Sequence, residues 1–187
     1  MAITVYTSNI MPHIHTDAGH HDLTACAFIV RMEGDEPKIL LHAHKKLKKL
    51  LQIGGHVELD ETPWQSVSHE ILEESGYDMA QLQILQPKER IKYLSGATLH
   101  PQPVCINTHV FKDIGHYHTD IAYAFVTSEL PGGAVADGES SELIWVSAAQ
   151  LRVMSDQEVV ENVREIGLYI LETCIKSWQP VSVSEFQ

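Results

Sequence analysis

The chain has 187 residues, 44% hydrophobic and 20% charged, which is enough for one core-bearing domain with about 40 residues of elaboration and argues against disorder, collagen and coiled-coil arrays. Its 25 Asp and Glu against 13 Lys and Arg leave a net charge of −12. That balance repels nucleic-acid backbones and anionic membranes, and a phosphorylated substrate would need local screening, most simply by a divalent cation held on surplus carboxylates.

The expected elements follow in chain order. No basic residue precedes Arg31 and the longest apolar run is 25–30, so neither a signal peptide nor a membrane span is expected and the chain reads as cytoplasmic. Strand signals fall over 3–7, 23–32 and 38–42, rich in β-branched and aromatic residues. The pair Gly54–Gly55 then leads into a short strand and a turn bearing Glu61. A helix follows, with Thr62 as N-cap, Pro63 at its first position, Gln65 as capping-box partner and Gly76 as its stop. Further strands are expected over 82–86, 104–111, 118–127 and 143–146. A last helix is expected over about 155–178, opened by the Ser155/Glu158 capping box, with an apolar face to pack on the sheet or on a second copy. Runs such as 25–30 and 121–126 are apolar at nearly every position, as in a sheet covered on both faces by helices. The fold class expected is therefore α/β with a mixed β-sheet plus a long C-terminal helix. One domain spans 1–187, with a core of about 22–152 and an N-terminal extension of 1–21. Cys26, Cys105 and Cys174 are odd in number and widely spaced, which fits buried thiols better than disulfides or a zinc cluster.

The informative stretch is 54–77, GGHVELDETPWQSVSHEILEESGY. Offsets of three and four residues put Glu70, Glu73 and Glu74 on one helical face within about 100° of arc. Such crowding suits either a solvated surface or a site for a hard cation such as Mg²⁺ or Mn²⁺. Spacing alone does not separate the two.

This stretch resembles the Nudix box, G-x5-E-x7-R-E-U-x-E-E-x-G-U with U a bulky apolar residue. The match runs through Gly55, Glu61, Glu70, Ile71, Glu73, Glu74, Gly76 and Tyr77, and His69 stands where the family has arginine. The strand pattern from about 23 to 151 also resembles the family's α/β/α sandwich. The resemblance implies hydrolysis of a nucleoside diphosphate linked to another group, by water attack on the pyrophosphate bridge. It implies Glu73, Glu74 and the Gly54 carbonyl as metal ligands, with Glu70 a ligand or the base that positions water. An additional acid from a late loop is expected, Glu139 first and Glu142 second. Glu61 and His69 complete the catalytic set: the family arginine is expected to fork between two glutamates, and a histidine offers a single hydrogen bond to Glu61 or Glu73 in its place. The implied cofactor is Mg²⁺ or Mn²⁺, and the implied partner a small nucleotide-type substrate.

Gly55 is expected to let the backbone approach that substrate closely, and His56 to stand near its phosphates. Lys45 and Lys46 belong to the basic run 45–49, either a solvated turn or a steering patch for an anion. His116, His118 and Asp120 alternate on one strand face, as a polar strand end or as contacts to substrate or a transition metal. His13, His15, His20 and His21 read as a polar arm, and His42 and His44 carry no assigned role. Tyr93, Tyr117 and Tyr123 are possible base-stacking surfaces, in or near the selector loops 87–103 and 129–138. The alternative function is a Nudix-fold nucleotide-binding or regulatory module with weak or no catalysis, for which His69 is the only positive argument.

Overall fold

The computed structural model describes residues 19–34, 36–111 and 115–186. The strand expected over 3–7 and the histidines His13 and His15 lie outside them. Among the described residues nine strands form one mixed sheet: β1 (His21–Glu33), β2 (Glu36–Ala43), β3 (Leu50–Leu51), β4 (Ile53–His56), β5 (Gln83–Gln86), β6 (Cys105–Phe111), β7 (His116–Thr127), β8 (Leu143–Ser147) and β9 (Gln179–Ser182). The spine runs β3-β2-β1-β7-β5-β9, with β4 beside β1, β6 beside β7 and β8 beside β2. Among these strands only β1 and β7 pair with each other in parallel, from His21 opposite Tyr117 to Arg31 opposite Thr127.

The apolar run 25–30 is buried at every position because helices cover both faces of the sheet. Ala25, Ala27 and Ile29 meet Trp64, Val67 and Ile71 of helix α1 (Pro63–Ser75) in one core layer. Cys26, Phe28 and Val30 meet Val163, Ile170, Leu171 and Cys174 of the C-terminal helix in the other. Helix α1 keeps the expected caps: Thr62 and Gln65 make the reciprocal box, and Gly76 closes the helix at φ 72°. A short α2 (Ala148–Val153) follows β8.

The last helix starts later than its capping signal suggests. Ser155 and Glu158 do bond to each other, but they form an isolated turn. Val159 is drawn into a parallel bridge with Leu50, fixed by Leu50 N–H to the Glu158 carbonyl at 2.8 Å and Val160 N–H to the Leu50 carbonyl at 3.3 Å. The helix therefore runs as α3 (Glu161–Tyr169), a π-helical turn (Ile170–Cys174) and α4 (Ile175–Ser177). Its apolar face packs on the chain's own sheet. Among the described residues no helix is long and apolar enough to cross a membrane.

Candidate active site

The site is built where α1 crosses β4 next to β1. The glycine pair lies inside β4 rather than ahead of a strand, with Gly54 opposite Cys26 and Gly55 opposite Ala25. Gly54 has φ 143°, and a Cβ there would sit 2.5 Å from the Ala25 carbonyl oxygen. At Gly55 a Cβ would meet Glu70 Oε1 at 2.1 Å. The two glycines thus let the helix acids lie directly against the strand backbone.

Glu74 is 7% exposed, and its Oε2 accepts the Gly54 N–H at 2.8 Å. Burial pushes its carboxyl up to about 9; the Gly54 hydrogen bond opposes this, and the charges of Glu70, Glu139 and Glu73 add to it. Glu70 is pushed up to about 7, again first by burial, with His69 opposing and Glu73, Glu139 and Glu61 adding. His42 of β2 lies 3.6 Å from Glu74 Oε1, and burial holds its imidazole near 4, helped by His44. Burial and mutual repulsion disfavour the charged forms of Glu70 and Glu74, and a dication beside them would favour those forms.

His69 reaches both acids expected of the family arginine. Its Nδ1 lies 3.3 Å from Glu61 Oε1 and its Nε2 lies 3.0 Å from Glu73 Oε1, so the expected single hydrogen bond is the one to Glu73, with Glu61 at ion-pair distance from the other ring nitrogen. Burial works to lower its pKa, but the Glu73 hydrogen bond and the charges of Glu73, Glu61 and Glu70 carry it above the ordinary value. Glu61 Oε2 is buried and accepts no hydrogen bond, an unmatched acceptor facing the same cluster.

The late loop docks on the end of α1 through Ala136 N–H to the Glu73 carbonyl at 2.7 Å and Gly133 N–H to the Gly76 carbonyl at 2.9 Å. This brings Glu139 close enough to act on both Glu70 and Glu74. Glu139 also lines a cleft of about 750 Å³, together with Lys45, Lys48, Lys49, Glu142 and Glu158. The three α1 glutamates do not line that cleft; Glu139 is where it adjoins them. Lys45 Nζ donates to the Gly138 carbonyl, while Lys46 sits exposed on the adjoining turn. Tyr93 and Tyr117 are exposed, whereas Tyr123 is core, edge-on to Trp64.

His56, His116 and His118 do not join the glutamates. Strand alternation turns them to the sheet face away from α1, where they converge with Asp22. Asp120 is separately engaged, accepting from Thr24 Oγ1 at 3.0 Å and Cys26 Sγ at 3.2 Å. Sequence reasoning missed Asp22 and His42 as members of clusters. Their partners come from other strands, so no spacing rule links them; a polar residue flanking an apolar run was the only signal.

The NUDIX domain family matches residues 20–166. The chain belongs to the Nudix family. It is a pyrophosphohydrolase of the general class that acts on nucleotide derivatives. Among solved structures, a Nudix-family hydrolase from Clostridium perfringens is 29% identical, with a TM-score of 0.66 over 81% of this chain and 96% of that one. A Nudix hydrolase from Nitrosomonas europaea is 20% identical, with a TM-score of 0.58 over 89% and 95%. The Nudix domain of Shewanella oneidensis NrtR, complexed with ADP ribose, is 15% identical, with a TM-score of 0.56 over 84% and 90%. The last two likenesses show the fold alone. No curated protein matches the chain.

Proposed function

We propose that this Nudix chain, a single domain over 1–187, is a metal-dependent hydrolase that cleaves the pyrophosphate linkage of a nucleoside diphosphate joined to another moiety. The observation that carries the reading is the convergence of Glu70, Glu73, Glu74 and Glu139 beside a strand stripped of side chains at Gly54 and Gly55. The donors are all oxygens, the set suited to Mg²⁺ or Mn²⁺. Glu73, Glu74, Glu139 and the Gly54 carbonyl would hold the ion, with Glu70 at its edge. When bound, such a cation offsets the charge of the pyrophosphate and favours ionisation of the attacking water.

The chain's own groups do the rest. Glu70, wedged against Gly55, takes the proton as the water oxygen bonds to phosphorus and the bridging P–O bond breaks, leaving two phosphorylated products. Glu61 and His69 hold Glu73 in orientation. Gly55 leaves room for Glu70, and Lys45 and Lys46 raise the local concentration of an anionic substrate. The binding-module reading rested on His69; its contacts with both Glu61 and Glu73 support an orienting role instead. Three free cysteines accord with a reducing compartment, and we place the protein in the cytoplasm.

The test is a panel of nucleotide derivatives hydrolysed with Mg²⁺ or Mn²⁺. Chelation abolishes turnover and either ion restores it. Glu73→Gln and Glu74→Gln each lose on the order of 10²-fold or more. Equal product release by wild type and both variants overturns the reading.

A further inference from the structure

The sheet face opposite α1 carries a second cluster for which the hydrolytic scheme has no use. On β1 the row Val30, Phe28, Cys26 continues through Thr24 to Asp22. On β7 the row Ala124, Ala122 continues through Asp120 to His118 and His116. The parallel register sets His118 opposite Asp22, and the antiparallel one sets His56 of β4 opposite Thr24. Three neighbouring strands therefore send side chains to one point, where ligand atoms of Asp22, His56, His116 and His118 all lie within 4.8 Å of one another.

The distances have the scale of a coordination shell. His116 Nε2 is 2.9 Å from His118 Nε2 and 3.3 Å from Asp22 Oδ2, which is 3.9 Å from His56 Nε2. Four tetrahedral donors bonded at about 2.0–2.1 Å stand about 3.3 Å apart, and the measured separations straddle that value. Asp22 is 3% exposed, and its Oδ2 accepts no hydrogen bond, a costly state for a carboxylate unless a cation answers it. A proton joins only one pair of these atoms at a time. A dication answers all four.

We propose that Asp22, His56, His116 and His118 bind a divalent transition metal, zinc by its donor set, in a site distinct from the acidic site on α1. Three imidazoles and one carboxylate select zinc-like ions, whereas the all-oxygen set on α1 selects magnesium or manganese. Four protein donors leave no open position, so the ion is structural. It ties β4 and β7 to β1 and so fixes the strand that carries Gly54 and Gly55. Asp120, expected alongside His116 and His118, is excluded because Thr24 and Cys26 occupy its oxygens.

The experiment uses the full chain, stripped with chelator and titrated with zinc while magnesium is in excess to fill the oxygen donors. Calorimetry and elemental analysis read the stoichiometry, and cobalt substitution reads the geometry through the strong visible absorption of four-coordinate cobalt. Wild type, Glu74→Gln and His13→Gln/His15→Gln each bind about one zinc in the cluster, with a tetrahedral cobalt spectrum and a raised Tm. His116→Gln/His118→Gln, checked as folded by circular dichroism, loses that equivalent and that spectrum. His118→Gln, at a partly exposed position, keeps the test open if the double variant does not fold, and weakens zinc by more than about tenfold. Equal zinc binding by wild type and the cluster variants overturns the proposal, as does loss of the zinc in Glu74→Gln or in His13→Gln/His15→Gln. Failure of wild type to bind zinc at micromolar concentration overturns it as well. None of these readings depends on turnover, so the hydrolase assignment stands or falls separately.

Discussion

An imidazole donates hydrogen bonds from both ring nitrogens only as the imidazolium, and His69 has a carboxylate at each. Its raised pKa is the electrostatic expression of that arrangement. An arginine at the same place remains charged at all working pH and offers a fork in place of two opposed nitrogens. His69→Arg is therefore expected to preserve or raise turnover, while His69→Ala, which frees Glu61 and Glu73, lowers it by about tenfold or more. Steady-state rates with folded proteins check this, and a large loss in His69→Arg contradicts the orienting role. Gly55 invites a sharper test, since a single methyl would fall 2.1 Å from Glu70 Oε1. The half-buried carboxylate must swing aside while the core layers stay untouched. Gly55→Ala should thus cut kcat by on the order of 10²-fold with a loss of stability under about 2 kcal/mol, measured by rates and by thermal melts on the same samples.

At the scale of elements, the C-terminal helix meets the sheet through Gly167. A Cβ there would stand 2.9 Å from Ile39 Cδ1 and 3.2 Å from Leu151 Cδ1. Gly167→Val overpacks that seam and should destabilise the fold by about 1–3 kcal/mol in denaturant melts, despite the better helix propensity of valine than glycine. The same helix marks the limit of what local signals foretell. Helix α1 was legible because cap, first proline, box partner and terminal glycine all agree within fifteen residues, 62–76. The 155–158 box carried an equally good local signal, yet Val159 answers to Leu50, more than a hundred positions earlier. Strands β1, β2, β5, β6, β7 and β8 stood out as β-branched and aromatic runs. The two-residue β3 and the proline-bearing β9 did not, because their pairing is set by β2 and β5. The acids of α1 share one helix and were read together from their spacing. Asp22, His56, His116 and His118 lie on three strands, and only the sheet register unites them.

Over the whole molecule the net charge of −12 works against capture of a pyrophosphate, and the acids of α1 deepen the problem where the substrate must bind. The lysines run counter to it locally: Lys45, Lys48 and Lys49 line the cleft that adjoins Glu139. At about 0.15 M salt a charge is felt over about 8 Å, so these side chains act on a ligand in the cleft while most of the surface acids do not. Attraction of this kind acts on encounter and binding and leaves the bond-breaking step alone. Lys48→Gln/Lys49→Gln, which spares the Lys45 contact with Gly138, should raise KM several-fold with kcat changed by less than about twofold, and the gap between variant and wild type should close near 0.5 M salt. Steady-state kinetics at two ionic strengths decide it. An unchanged KM at low salt would leave the lysine turn as plain solvated surface.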